Sequence, residues 1–191
     1  MTAPVILAST SPARRSLLAS VGLAHEAEAP GVDEEVPPGL PPAEIARTLA
    51  LRKAAAVASR HPDAIVVGAD QVLDLDGRPF GKPADEAEAL DGLRRLAGRA
   101  HSLVTGLAVV APGAPPLVEE ERTVLHVRAL SEDEARRYVA TGEWRGCAGG
   151  YRVEGRGLAL FERIDGDWTN VLGIPMPRLL GHLRRLGVPI L

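Results

Sequence analysis

The chain has 191 residues, a formal net charge of −3, and 46% hydrophobic but only 3% aromatic residues. This length predicts one substantial domain with an aliphatic core, and the acidic balance argues against a nucleic-acid binder, which needs a basic face. The single cysteine, Cys147, excludes an internal disulfide. Because no long apolar run predicts a signal peptide or membrane span, we expect a cytoplasmic protein with no nucleic-acid or membrane partner.

Hydrophobic periodicity and turn residues divide the chain into strands and helices. The first half predicts a strand over residues 5–8, a helix over 13–21, a loop over 30–42, a helix over 43–59, and a strand over 64–75 with a hairpin turn at 76–77. The second half predicts a helix over 85–96, strands over 101–110 and 117–127, a helix from 131, an irregular glycine-rich segment over 142–157, a strand over 158–164 and a helix over 175–186. This order predicts an α/β fold, with a mixed twisted sheet flanked by helices and two lobes separated by a cleft.

The strand over 64–75 carries the most informative residue. Apolar, mainly β-branched residues lead through Gly68 and Ala69 to Asp70, so a buried strand presents a carboxylate. In open α/β folds, binding sites collect beyond the carboxyl ends of strands. Burying a carboxylate there costs free energy unless it binds a cation or handles a proton. The common structural alternative is an aspartate that closes a turn.

Three further segments supply candidate cations for a phosphate group. Arg14 follows a Ser-Thr-Ser-Pro run that begins at Ser9, at a strand-to-helix junction whose free N–H groups favour an anion. Lys82 lies between a glycine and a proline in the loop after the hairpin, a setting that holds a lysine close to a ligand. Lys53 lies on the second predicted helix. The structural alternatives are an ordinary helix cap, a β-turn lysine and a solvated helical lysine.

An acidic run, Asp33-Glu34-Glu35, lies in the early loop. Such a run is usually solvated, but beside phosphates and Asp70 one of its carboxylates is able to ligate a hard divalent cation through oxygen. The five histidines lack the paired spacing typical of a metal site. The glycine-rich segment lacks the Gly-Lys-Ser/Thr of a P-loop.

Taken in order, these segments resemble the Maf-like nucleotide pyrophosphatases over nearly the whole chain. The motifs that carry the resemblance are Leu7-Ala8-Ser9-Thr10-Ser11-Pro12 with Arg14-Arg15, Gly68-Ala69-Asp70-Gln71-Val72, Gly81-Lys82-Pro83, Cys147-Ala148-Gly149-Gly150-Tyr151 with Glu154-Gly155, and Asn170-Val171-Leu172-Gly173-Ile174-Pro175. The resemblance implies one domain over residues 1–191 with a Maf/Ham1-like fold and a nucleotide in the cleft. It also implies hydrolysis of a nucleoside triphosphate between the α and β phosphates, a divalent cation such as Mg²⁺ or Mn²⁺, a cytoplasmic location and a homodimer.

The resemblance also implies roles for single residues. Asp70 matches the catalytic proton acceptor and a metal ligand, and Asp33 matches an acidic position near the metal. The triphosphate would be bound by a set of polar and cationic residues: Ser9, Arg14, Lys53 and Lys82. The positions tied to base choice are matched by Arg14, Gln71 and Glu154.

Gln71 and Glu154 indicate which branch the chain resembles. The branch that acts on dTTP and UTP carries Thr after the catalytic aspartate and Gln in the glycine-rich motif, so this chain resembles the 7-methyl-GTP branch instead. An ionised carboxylate only accepts hydrogen bonds, and guanine presents two adjacent donors. We therefore expect 7-methyl-GTP as the substrate, with Glu154 on the guanine edge and Gln71 donating to O6.

Two alternatives stay open. The first is the same reaction on dTTP, UTP or another non-standard nucleotide. The second, from another class, is a regulator of cell division that binds a nucleotide without turnover. The presence of an acid together with three cations argues against the second, because a sensor needs no general base.

Overall fold

The computed structural model describes residues 3–190, so the two ends of the predicted domain, residues 1, 2 and 191, lie outside the described part. The strands are β1 (Val5–Leu7), β2 (Glu26–Ala27), β3 (Ile65–Leu75), β4 (Arg78–Phe80), β5 (Ala100–Val110), β6 (Leu117–Val127) and β7 (Phe161–Asp165). The helices are α1 (Pro12–Ser20), α2 (Pro42–Ala58), α3 (Glu86–Leu96), α4 (Glu132–Val139), α5 (Trp168–Val171) and α6 (Met176–Arg185).

All seven strands form one mixed sheet. The strand order is β2-β1-β3-β5-β6-β7, and β4 pairs with the far end of β3. β1 is parallel to β2 and β3, while the other neighbours are antiparallel. In the pairing of β3 with β5, Asp70 lies opposite Gly106 and Gln71 lies opposite Thr105. The predicted mixed sheet flanked by helices is confirmed.

Alternation along β3 gives the sheet two buried faces. Val66 packs in the cluster beneath α2, whereas Val67 and Ala69 pack in the cluster that contains Leu18 of α1 and Leu179 of α6. A third cluster forms between the far half of the sheet, α3 and α4. Because successive side chains of a strand point to opposite faces, the continuous apolar run of β3 is what a strand buried on both faces requires.

Two glycines bring α2 unusually close to the sheet. A Cβ on Gly68 would lie 2.3 Å from the Ala50 carbonyl oxygen, and a Cβ on Gly106 would lie 2.2 Å from the Ala46 carbonyl oxygen. Real Cβ contacts are never that short, so these two positions require glycine while α2 stays in place. The face of α2 at this contact is itself built from alanines, which allows the close approach.

The predicted strand over 158–164 begins later than expected. Residues 156–160 form a 3₁₀ turn in which Leu158 N donates to Gly155 O at 3.2 Å, and the strand starts at Phe161. Glu143 holds this turn, because its carboxylate accepts hydrogen bonds from the amides of Arg156 and Gly157 at 3.2 Å each. Leu158 is consequently 52% exposed, although its alternation with Leu160 is typical of a strand.

The remaining predicted elements are present, with ends that differ by one or two residues. β2, β4 and α5 are not predicted, because two to four residues are too few to show a hydrophobic period. Among the residues described, no helix has both the length and the hydropathy needed to cross a bilayer.

Candidate active site

Asp70 lies where β3 has no neighbouring strand on one side. β1 ends at Leu7, opposite Val67, and pairing with β4 begins only at Leu73. Between these points Asp70 and Gln71 line a cavity of about 370 Å³. The junction before α1 and the loop after β4 also line it, so the two predicted phosphate-binding segments meet at this gap in the sheet.

Lys53 connects two carboxylates in this cavity. Its Nζ lies 2.6 Å from Asp70 Oδ1 and 2.7 Å from Glu34 Oε1, and its side chain is only 8% exposed. The close approach of α2 over Gly106, the residue opposite Asp70, brings the lysine within reach of the strand. A buried ammonium group needs such partners, because an unpaired buried charge is expensive.

The pKa values of Asp70 and Glu34 shift in opposite directions. Burial raises the pKa of Asp70, although the charge and hydrogen bond of Lys53 and the charge of Arg14 oppose this. The hydrogen bond from Lys53 lowers the pKa of Glu34, helped by the charges of Lys53, Lys82 and Arg14 and opposed by burial. When the environments of two carboxyl groups shift their pKa values apart, the two groups take different roles in acid–base chemistry. Asp70 is suited to exchange a proton, and Glu34 is suited to remain ionised and hold a cation.

Arg14 joins three segments at one wall of the cavity. Its Nε donates to Gly173 O at 3.0 Å and its Nη1 donates to Ala69 O at 2.9 Å. Burial lowers the pKa of Arg14, and the charges of Asp70 and Glu34 oppose that shift. A guanidinium group has five N–H donors, so these bonds to the protein leave others for a phosphate.

The junction before α1 offers further donors. Ser11 Oγ caps the helix by accepting from Arg14 N at 3.4 Å, and Ser9 Oγ accepts from Ser11 N at 3.1 Å. Each hydroxyl uses its oxygen here and keeps its proton for another acceptor. The predicted helix cap and the predicted anion site are therefore compatible at the same residues.

Lys82 also lines the cavity, in a loop that the glycine-rich segment supports. Gly149 N donates to Gly81 O at 3.2 Å. A Cβ on Gly150 would lie 3.2 Å from Pro83 Cγ, and this glycine has a φ of +71°. Lys53 and Lys82 are the only lysines among the 22 Lys and Arg residues of the chain.

Gln71 points away from Asp70, as adjacent residues of a strand must. Its Nε2 donates to Asn170 O at 2.6 Å and to Thr105 Oγ1 at 3.0 Å. The expectation that Gln71 donates to O6 of a guanine is therefore wrong for this structure, because protein acceptors take the amide protons. Among residues 3–190, Oε1 makes no hydrogen bond and is the group that Gln71 has left for a ligand.

Glu154 lies at the rim of the same cavity and is about half exposed. Its nearest charged partner is Arg152, with 4.0 Å between Oε1 and Nε. The cavity lining also includes an apolar set, formed by Leu103, Tyr151, Val153, Val171 and Leu172. These side chains suit the flat face of a base, whereas the cations that line the same cavity suit phosphates.

Asp33 does not line the cavity. Its carboxylate accepts a hydrogen bond from Glu35 N at 2.9 Å in a local turn, and the neighbouring Glu34 is the residue that reaches Lys53. Arg52 fixes this arrangement, because its Nη1 donates to Asp33 O at 2.6 Å and to Glu35 O at 2.9 Å. An acidic run in a loop has no period, so the sequence alone does not indicate which of the three carboxylates faces inward.

The donor set fits a divalent cation only in part. Within the described residues 3–190, no group of three or more His, Cys, Asp and Glu side chains is arranged to hold a metal ion. Glu34 and Asp70 nevertheless converge on one point, which Lys53 Nζ occupies. Mg²⁺ is commonly held by one or two carboxylates together with substrate phosphates, so these two residues fit a cation that arrives with its substrate.

The family described as "Maf-like protein" matches this chain over residues 4–186. The chain belongs to the Maf-like family. A relative of this Maf-like chain from Pelotomaculum thermopropionicum, named "dTTP/UTP pyrophosphatase", is 47% identical over 188 residues, which cover 98% of each chain. Another of the same name from Deinococcus radiodurans is 44% identical and covers 98% of this chain and 95% of its own. A "Nucleoside triphosphate pyrophosphatase" from Rhodopseudomonas palustris is 43% identical, covering 95% and 93%.

A solved structure has the same fold as the Maf-like chain. The HAM1 protein from Coxiella burnetii matches 96% of this chain and 100% of its own with a TM-score of 0.52 and 15% identity. The predicted family and Maf/Ham1-like fold are therefore confirmed. The relatives named above do not carry the 7-methyl-GTP name that the resemblance of Gln71 and Glu154 suggests.

The structure brings together most of the residues predicted for the site. The cavity of this Maf-like chain is lined by Ser9, Arg14, Lys53, Asp70, Gln71, Lys82 and Glu154. Asp33 is the exception. Sequence reasoning missed the contributions of Thr105 and Asn170 to the orientation of Gln71, because a cross-strand register is not visible in one strand's pattern.

Proposed function

We propose that this protein is a nucleoside triphosphate pyrophosphatase that cleaves between the α and β phosphates to give a monophosphate and pyrophosphate. The observation that carries the proposal is the placement of Asp70, Lys53 and Glu34 in one cavity whose walls also hold Arg14 and Lys82. Family membership and the names of the relatives support the same reaction.

The residues divide the work of the reaction. Arg14, Lys82 and the Ser9 hydroxyl bind the triphosphate. Asp70, with its raised pKa, takes a proton from the water that attacks the α phosphorus. Glu34 and Asp70 would hold a divalent cation, which neutralises the charge that develops on the leaving pyrophosphate. With a cation held by Glu34 and Asp70, Lys53 would be available to bind the triphosphate, the role that the resemblance implies for it.

For the substrate we propose a pyrimidine triphosphate, dTTP or UTP. Relatives 47% and 44% identical to the chain carry that name, and it replaces 7-methyl-GTP as our leading choice. The chemistry of Gln71 is compatible, because the free Oε1 accepts the N3–H of uracil or thymine. Glu154 keeps 7-methyl-GTP as a second candidate, since its carboxylate complements the two donors of guanine and the positive charge of the methylated base.

Pyrophosphate release from a nucleotide panel tests the proposal. The panel contains UTP, dTTP, CTP, GTP and 7-methyl-GTP, each with Mg²⁺ or Mn²⁺ and with a chelated blank. Preference for UTP and dTTP supports the leading choice, and preference for 7-methyl-GTP supports the second. Binding without release of pyrophosphate from any nucleotide would overturn the enzymatic reading in favour of a regulator.

Glu154→Gln separates the two candidates further. If Glu154 contacts guanine, the substitution lowers turnover of 7-methyl-GTP, because an amide replaces one of the two acceptor oxygens with a donor and carries no charge. If a pyrimidine is the substrate, turnover of UTP stays the same or rises, since an amide serves the acceptor, donor, acceptor edge of uracil better. Glu143→Gln is the matched control, because Glu143 supports the adjacent turn instead of lining the cavity.

We also propose that the protein is a cytoplasmic homodimer. The support is family membership alone. Light scattering at several protein concentrations tests the oligomeric state, and a monomer at every concentration would contradict the proposed homodimer.

A further inference from the structure

Gln71 and Asn170 are the only two carboxamide residues in the chain, and they are in contact. The Asn170 side chain is fully buried, and its Nδ2 donates to Leu103 O at 3.2 Å and to Thr123 Oγ1 at 3.0 Å. These bonds fasten α5 to the sheet. They thereby fix the position of the Asn170 carbonyl oxygen, which is the acceptor for Gln71 Nε2.

Thr105 completes a closed arrangement around this amide. Its hydroxyl lies 3.5 Å from Asn170 O, and a carbonyl oxygen is unable to donate, so the hydroxyl proton points to Asn170. The oxygen of Thr105 is then free to accept from Gln71 Nε2 at 3.0 Å. Turning the amide by 180° would set Oε1 against the Asn170 carbonyl oxygen, which offers no proton. Only one orientation of Gln71 satisfies both partners.

We propose that Thr105 and Asn170 are positioning residues that hold Gln71 with Oε1 toward the ligand. This fixed orientation determines which nucleotide bases the site accepts, an inference that rests on the proposed function. Oε1 accepts from a ring N–H, which uracil and thymine have at N3 and guanine has at N1. Cytosine and adenine have an unprotonated, accepting nitrogen at the corresponding place, so the site discriminates against CTP and ATP.

The test compares UTP with CTP, and GTP with ATP, in wild type and three variants. We expect wild type to favour UTP over CTP and GTP over ATP by about tenfold or more in kcat/KM. Thr105→Val keeps the shape and the strand preference but removes the hydroxyl, and it lowers the UTP-to-CTP ratio by about three- to tenfold. Thr105→Ser keeps the hydroxyl and stays within about twofold of wild type.

Thr123→Val is the matched control. Thr123 is another fully buried strand threonine bonded to Asn170, but it does not contact Gln71. We expect it to lower stability and to change the UTP-to-CTP ratio less than Thr105→Val does, because the bond from Asn170 Nδ2 to Leu103 O still holds α5. An unchanged ratio in a Thr105→Val variant that cleaves UTP normally would overturn the proposal, as would a larger loss of selectivity in Thr105→Ser than in Thr105→Val.

An NMR measurement on the unliganded wild type needs neither a stable variant nor turnover. A nitrogen-edited spectrum of this chain contains two side-chain NH₂ pairs from carboxamide residues, and Gln71→Met identifies the pair of Gln71. We expect those protons to exchange with solvent at least about tenfold more slowly than a free amide, because both partners are protein acceptors. Free-amide exchange rates would refute the fixed orientation. If no nucleotide yields pyrophosphate, the proposed function fails, and this spectrum still decides the orientation of Gln71.

Discussion

Lys53 Nζ lies 2.6 Å from Asp70 Oδ1 in a setting where both groups are largely buried. The lysine charge opposes the rise that burial causes in the pKa of Asp70. The charge of Arg14 also lowers the pKa of Asp70, whereas the charge of Glu34 raises it. Burial therefore sets the direction in which the pKa of Asp70 shifts, and Lys53 on the neighbouring helix α2 limits that shift.

This relationship predicts a shift in the pH dependence of turnover. Replacing Lys53 with Met removes the charge that lowers the pKa of Asp70, so that pKa rises further. Because the reaction needs the ionised carboxylate, the acidic limb of the kcat/KM profile, which reports the free enzyme, is expected at higher pH in Lys53→Met than in wild type. Lys82→Met is the control, which lowers the rate and leaves the limb in place. A limb at the wild-type position in Lys53→Met would show that another group titrates.

Asp70→Asn is expected to lower kcat about 10²- to 10⁴-fold, the usual contribution of a general base. Asp74→Asn provides a control on the same strand. The Asp74 carboxylate accepts from Gly77 N at 2.7 Å and pairs with Arg122 outside the cavity, so its loss affects stability instead of kcat. Rates of pyrophosphate release together with thermal melts distinguish the two effects. Near-normal turnover by Asp70→Asn would exclude Asp70 as the base.

Arg52 is expected to influence the metal requirement without touching the substrate. Its two bonds to the carbonyls on either side of Glu34 hold that carboxylate in the cavity. In Arg52→Gln we expect the Mg²⁺ concentration for half-maximal rate to rise about tenfold, with kcat at saturating Mg²⁺ close to wild type.

Arg60→Gln is the matched control for Arg52. Arg60 binds the same loop at its other end, through Glu28 and Ala29 O, and is expected to leave the Mg²⁺ dependence unchanged. Equal shifts in the two variants would mean that general loosening of the loop, and not the placement of Glu34, sets the metal requirement.

Gly106→Ala is expected to destabilise the fold, because its Cβ would meet the backbone of α2. Overpacking of this kind costs about 1–3 kcal/mol, roughly 3–10 °C in Tm for a chain of this size. Gly92→Ala in α3 is the control. Its Cβ would lie 3.5 Å from Phe80, an ordinary contact, and helix propensity favours alanine, so Tm should rise. An unchanged Tm in Gly106→Ala would mean that α2 moves away from the sheet at little cost, in which case the Lys53–Asp70 contact should weaken.

The sequence predicts the sheet, the main helices and most of the cavity, because these follow from local patterns. Asp70 follows a run of apolar residues, and Lys82 lies between a glycine and a proline, so each is visible within a few residues. Glu34 and the orientation of Gln71 depend instead on contacts between distant segments. The first requires Arg52 to bind the loop, and the second requires the register that sets Thr105 opposite Gln71. Neither contact leaves a period in the sequence.

Asp70 and Gln71 are neighbours in sequence but serve opposite faces of one strand. Asp70 contacts Lys53 on the α2 side, and Gln71 contacts Thr105 and Asn170 on the other side. Substitutions on the second side can alter which base is accepted and leave the proton-transfer machinery untouched. Substrate range and bond cleavage are therefore free to evolve separately, whereas the insertion of one residue before Asp70 would exchange the two faces and abolish both.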